Sequence, residues 1–221
     1  MRNWRRYSKW SSSFLLEKCC HDLDLYNSVI GSRPERVASF GGRKTFIPEN
    51  DPRREGINDM SLFHRKPTGW EGSDKVFDSD GDIIDYQVAI IEYANGVGMN
   101  FHTNLNAPDQ FRRFAIFGTR GQAEGDFIRG YFDVHEVLNE KRTIHKEYAT
   151  RTELSQHYGA DEKMAEEVIA HVMNAGPLPV SPLDAMEAGI LAMAMDEARE
   201  KRTVIDLRPV WDRFDAALQK V

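Results

Sequence analysis

From Asp85 to Tyr148 the chain reads as one strand after another with only short turns between, and this run constrains the fold more than any other feature. Tyr86-Gln87-Val88-Ala89-Ile90-Ile91-Glu92-Tyr93 is the first strand. Asn95-Gly96, a strong hairpin dipeptide, turns the chain into a second from Val97 to Leu105. Phe111 to Phe117 predicts a third, ending in Gly118-Thr119-Arg120-Gly121, and 122–127, 131–138 and 142–148 predict three more. Consecutive strands with short connections specify an antiparallel or mixed sheet.

Helical signals flank this region. Phe14, Leu15, Leu16, Cys19, Leu23, Tyr26, Val29 and Ile30 largely follow a helical stripe, opened by a serine cap and stopped by Gly31 and Pro34. Arg36-Val37-Ala38-Ser39-Phe40 predicts a strand ended by Gly41-Gly42. Residues 161–174 predict a helix with Met164, Val168, Ile169 and Val172 on one side. Ser181-Pro182-Leu183-Asp184 combines an N-cap, a proline at the first helical position and an acid three residues on. The helix that follows carries Leu183, Met186, Ile190, Met193, Ala194 and Glu197 on one side, its methionines read as core filler. Thr203–Leu207 predicts a short strand and Pro209–Leu218 a closing helix. The expected fold is α+β: a single domain over 1–221, with a two-layer open, predominantly antiparallel or mixed sheet and helices on one face. Residues 43–83 show no sustained period and are expected to be a long irregular excursion with one short helix.

Composition excludes several functions. The net charge of −6 argues against a nucleic-acid partner, which would need a basic face. The basic, aromatic Met1–Trp10 segment is therefore read as a strand packing its arginines and tryptophans, not as a nucleic-acid arm. No apolar run approaches the roughly 20 residues of a membrane helix. Nor does the N-terminus have the apolar stretch and cleavage site of a signal peptide. The only cysteines, Cys19 and Cys20, are adjacent and cannot staple the fold, which points to a reducing, cytoplasmic setting. Asp78–Asp82 resembles a calcium loop but has Ile83 where glycine and Ala89 where glutamate belong, so it reads as an acidic turn. Gly96-Val97-Gly98-Met99-Asn100-Phe101 is the nearest approach to a dinucleotide fingerprint. It ends in Phe and lies in a hairpin, so no cofactor cradle is expected in this chain.

The chemistry concentrates in Glu17-Lys18-Cys19-Cys20-His21-Asp22-Leu23-Asp24. On a helix Glu17 and His21 share a face, where a carboxylate can orient an imidazole for proton transfer near neutral pH. Asp24 borders that face and Lys18 adds a nearby positive charge. The competing reading is a solvated face laced with ion pairs. A second cluster, Ser155–Asp161, contributes His157. Glu17, His21, His157 and Asp161 together offer metal-ligand types, but no compact ligand motif supports a metal.

The segment "FLLEKCCHDLDLYNSVIGSRPERVASFGG" resembles the second domain of the Gfo/Idh/MocA family of NAD(P)-dependent sugar and cyclitol oxidoreductases. The family pattern is Gly-Gly, apolar residues, an acid, three residues, then His-x-x-Asp. Glu17, His21 and Asp24 stand at its acid, His and Asp positions, while serines replace the glycines. "VAIIEYANGVGMNF", "FAIFGTRGQAEGD", "HYGADEKM" and "SPLDAMEAGILAMAMDEAREKRTVIDL" follow in family order. The resemblance implies a dihydrodipicolinate-reductase-like C-terminal domain, separated from the N-terminal Rossmann domain that binds NAD or NADP and inactive alone. It implies Glu17 and His21 as catalytic residues, with His21 withdrawing a hydroxyl proton from a polyhydroxy substrate as hydride departs. Lys18, Asp24, Arg5, Tyr7, Trp10 and His157 are the implied pocket wall. The bare sheet face implies a homodimer or homotetramer. The rivals are a non-catalytic assembly module and a metal-dependent hydrolase.

Overall fold

The computed structural model describes residues 3–58, 77, 81–138, 142–148, 159–174, 176–178 and 180–219. In chain order its elements are α1 (Ser8–Ser11), a π turn (Leu15–Cys19) running directly into α2 (Cys20–Ile30), β1 (Pro34–Gly42), β2 (Tyr86–Tyr93), β3 (Gly98–Asn104), β4 (Arg113–Gly118), β5 (Gly121–Asp126), β6 (Tyr131–Glu136), β7 (Arg142–Glu147), α3 (Ala160–Asn174), α4 (Pro182–Lys201), β8 (Ile205–Asp206) and α5 (Arg208–Leu218). They divide into two compact units, Met1–Asn106 with Val180–Val221, and Ala107–Pro179. The fold is α+β and every strand pairing among the described residues is antiparallel.

In the first unit the sheet order is β3-β2-β1-β8. Strand alternation sends Val37, Ala89, Ile91, Tyr93 and Phe101 into a core shared with Leu15, Leu23, Leu191 and Met195 of the helical layer. Each fully buried aliphatic side chain of this kind contributes roughly 1.5–3 kcal/mol. Gln87 is buried and donates from Nε2 to Ser39 Oγ at 2.8 Å and to the Met195 carbonyl at 3.1 Å, tying α4 to the sheet. Gly31 ends α2 at φ 64°, where its N–H reaches the Asn27 carbonyl at 2.8 Å and a side chain would be strained. Asp85, also buried, accepts amide hydrogens from Lys44, Thr45 and Phe46 and so fixes the chain leaving β1.

The predicted start of α4 forms as a reciprocal cap: Ser181 Oγ accepts from the Asp184 amide, and the Asp184 carboxylate accepts from Ser181 N–H. Ser181→Ala should cost about 1 kcal/mol, a fall in Tm of about 2–4 °C readable by circular dichroism. An unchanged Tm would show that this helix start is held by packing alone.

The second unit is a meander, β4-β5-β6-β7, with α3 following. Asp126 organises its 127–130 turn, accepting from the Ile128 amide at 2.8 Å and the Arg129 amide at 3.2 Å. Burial opposes its ionisation, yet these amides, that of Arg112 and the Arg129 guanidinium hold the carboxyl below its usual range.

Several expectations need correction. The strands form where predicted but make two sheets, because Asn106-Ala107-Pro108-Asp109 separates β3 from β4 and the two do not pair. The N-terminal segment is not a strand. Asn3–Arg6 is a 3₁₀ turn followed by α1, held by the Asp82 carboxylate on Ser8 and by the Asp82 and Ile83 amides on the Arg6 carbonyl. Two 3₁₀ turns, Pro48–Asn50 and Pro52–Glu55, stand in the described part of the excursion, while 59–76 and 78–80 lie outside the described residues. Met186 and Met193 are exposed, since α4 buries the side bearing Ala188, Leu191, Ala192, Met195 and Ala198. The predicted stripe of α3, Met164, Val168, Ile169 and Val172, is exposed as well.

Candidate active site

The π turn explains how the loaded segment faces two ways. In an α-helix a step of four residues drifts about 40° around the axis, so Leu15, Cys19 and Leu23 would slide off a common line. The wider turn over Leu15–Cys19 offsets that drift, and all three are buried, at 0 %, 3 % and 0 % exposure. Cys19 Sγ lies 3.8 Å from Thr103 Oγ1 on the sheet. Glu17, Lys18 and His21 are consequently left exposed to solvent.

Glu17 meets Arg5, not His21: Arg5 Nε lies 3.7 Å from Glu17 Oε2. Among the described residues no hydrogen bond joins Glu17 to His21. Glu17 lies inside the π turn and His21 beyond it, so the regular α-helical spacing that would set the two side by side does not apply between them. An ion pair this exposed contributes at most about 1 kcal/mol, so it orients more than it stabilises. Asp24 is half-buried. Burial pushes its carboxyl up, the negative Asp184 pushes it further, and His21 pulls it down. Asp184 itself is held below its usual range by the Ser181 amide and hydroxyl. His21 and Asp24 thus share one electrostatic neighbourhood with the N-terminal cap of α4.

Tyr7 lies beneath two cations, with Arg6 5.3 Å and Lys9 5.7 Å from its ring centroid. Trp10 is 65 % exposed, with Lys9 5.3 Å from its ring. His157 and its neighbours at 155–158 lie outside the described residues. Asp161 is exposed in the first turn of α3. Among the described residues no group of three or more His, Cys, Asp or Glu side chains could hold a metal ion.

A hollow of about 400 Å³ opens beside Ser13, four residues before Glu17, and is lined by neither Glu17 nor His21. Its far wall is the C-terminal half of α4. Asp184, Asp196 and Arg199 were missed as site residues. The available signal was an acid, Asp196, set directly among the Ala and Met residues of the buried side of α4.

The Gly96–Gly98 segment does not form a pyrophosphate cradle. Gly96 occupies a hairpin turn at φ 84° and Gly98 begins β3, whereas a pyrophosphate cradle needs a strand leading into a helix N-terminus within a parallel unit. No parallel pair exists among the described strands.

An antiparallel sheet covered by helices, with a polar helix face at its rim, defines an α+β domain. The chain belongs to the Gfo/Idh/MocA oxidoreductases: residues 1–207 match the model described as "Oxidoreductase family, C-terminal alpha/beta domain". YteT of Bacillus subtilis (strain 168), named as an oxidoreductase, is 23 % identical over 95 % of this chain and 58 % of its own length. The oxidoreductase domain protein of Kribbella flavida superposes with a TM-score of 0.67 at 13 % identity, over 92 % of this chain and 54 % of that one. Levoglucosan dehydrogenase, in complex with NADH and levoglucosan, gives 0.67 at 16 % identity, over 93 % and 54 %. The chain therefore spans little more than half the length of these relatives.

Proposed function

We propose that this chain is the substrate-binding and oligomerisation part of an NAD(P)-dependent oxidoreductase acting on a sugar, cyclitol or related polyhydroxy compound, and that it is inactive without a cofactor-binding part. The observation that carries this reading is the exposed face of Glu17 and His21, with Arg5 already paired to Glu17. Oxidation of an alcohol requires loss of its hydroxyl proton, and an accessible imidazole suits that role near neutral pH. Glu17, turned toward Arg5, is placed to accept a substrate hydroxyl. Asp24 lies in the same electrostatic neighbourhood as His21, while Lys18, Tyr7 and Trp10 supply cationic and aromatic wall. His157 remains part of this proposal on sequence grounds. The levoglucosan and NADH in the complex of the related dehydrogenase support the substrate and cofactor classes.

Levoglucosan and myo-inositol titrated into the chain should shift the His21 imidazole resonances in NMR spectra. Saturating shifts elsewhere with His21 unmoved would refute the assignment. Tight binding of NADH or NADPH by the chain alone would contradict the division of labour. No helix among the described residues is long and apolar enough to cross a membrane.

The open face of the first sheet is the proposed oligomer interface. Phe40 pairs in register with Val88, and Ala38 with Ile90. Phe40 is 67 % and Ile90 65 % exposed, on the face opposite the helices. The Arg36–Glu92 ion pair borders this band. Light scattering should report a dimer or tetramer, and Ile90→Arg should give a folded monomer. A monomeric parent protein at high concentration would remove the interface.

A further inference from the structure

The hollow beside Ser13 lies between α1 and the π turn on one side, Asp82–Ile84 on another, and Met193–Glu200 of α4 on the third. Its size matches a small-molecule site. Asp196 borders it at 9 % exposure, and its Oδ2 has no hydrogen-bond partner among the described residues. Arg199, also on the wall, leaves its buried Nε without a partner; its Nη2 makes one long contact, 3.5 Å, to Asp196 Oδ1. The site therefore lacks one donor and one acceptor at adjacent side chains, a pattern native interiors rarely tolerate. The terminal torsion of an aspartate is soft and two-fold, so either oxygen can be presented to the hollow.

The charges select the ligand. Four acids, Asp82, Asp196, Glu197 and Glu200, face one guanidinium, Arg199. Arg199 answers Glu200 at 2.8 Å, and Lys201 answers Glu197 at 2.5 Å. Asp82 is hydrogen-bonded by the Ser8 amide and hydroxyl. What remains is a net negative lining that repels phosphates and carboxylates and attracts a cation. Burial pushes the Asp196 carboxyl up, against the pull of Ser13 and Arg199, and a bound cation would oppose that push.

Ser12 adds a second peculiarity. Its backbone lies at φ 60°, ψ −81°, a strained region for an L-residue that glycine would occupy freely. It borders the hollow together with Ser13.

We propose that this hollow binds a small primary ammonium compound bearing hydroxyl groups, with Asp196 accepting from the ammonium and Arg199 and the Ser12 and Ser13 hydroxyls taking the ligand hydroxyls. It is separate from the Glu17–His21 face and does not depend on it. Isothermal titration of the full chain with glucosamine, and with glucose as the uncharged control, tests it. Glucosamine should bind saturably, glucose at least about tenfold more weakly, and Asp196→Asn should lose about tenfold or more, as expected for a hydrogen bond to a charged group. The titrations are made in the His21→Ala background, where the proposed sugar face no longer competes for the ligand. Ser12→Gly should raise Tm yet weaken binding, a combination that a purely structural serine would not produce. Absence of saturable binding, equal affinity for glucose, or undiminished affinity in Asp196→Asn would overturn the proposal. If Asp196→Asn does not fold, unchanged affinity in Ser12→Gly overturns the proposal in its place.

Discussion

Replacing His21 by alanine, in an oxidoreductase subunit that joins this domain to its nicotinamide-binding part, should lower kcat about 10²–10⁴-fold, the range for loss of a general acid or base. The effect should fall on kcat more than on KM, because the imidazole is needed to move a proton and Glu17 with Arg5 still offers substrate contacts. His21 is exposed and its backbone continues an intact α2, so the fold should survive the change. Turnover within a factor of two of the parent enzyme would remove His21 from the chemistry. Glu17→Gln provides the complement, since it keeps the shape but releases Arg5 and should raise KM before it lowers kcat.

Trp211→Ala should be the most damaging change to stability, costing about 3–5 kcal/mol. Trp211 is 6 % exposed, and its indole Nε1 donates to the Pro34 carbonyl at 2.6 Å, fastening α5 to the first residue of β1. Phe214 meets the ring edge-on at 6.1 Å, and the Arg33 guanidinium lies 5.2 Å from its centroid. Arg33 also reaches Glu187 on α4 and Asp215 on α5, so the indole sits where two helices and the sheet converge. Truncation leaves a cavity and an unpaired carbonyl together. Urea denaturation of the variant measures the cost, and Trp211→Phe, which keeps most of the ring, should recover more than half of it. A loss below about 1 kcal/mol for the alanine variant would show that α5 lies outside the cooperative core.

Local rules made much of this fold readable. Asn95-Gly96 specified its hairpin because the turn demands positive φ, and Ser181-Pro182-Leu183-Asp184 specified a helix start because cap, proline and acid agree. What depended on partners far along the chain was not readable. Whether 105–112 continues a sheet or ends one depends on pairing that neither flank encodes, and the result is two sheets. The N-terminal residues look like a strand by composition but become turns because Asp82, 74 positions away, takes the Ser8 amide. Helical periodicity placed α4, but an all-round mixture of Ala, Met and Leu did not say which side would be buried. In the candidate site, spacing brought Glu17 and His21 to attention, yet the partner of Glu17 is Arg5, which only the folded N-terminus delivers.

The widened turn at Leu15–Cys19 ties chain length to chemistry. It holds one residue more than a regular helix needs, so a single-residue deletion there would heal into unbroken α-helix with Leu23 and everything after it unmoved. Residues on both sides would keep their register, because the widened turn takes in its extra residue without adding rotation. Only the side chains inside the turn would be re-aimed, so a change of one codon there would alter what the helix presents around Glu17 while the scaffold stayed in place.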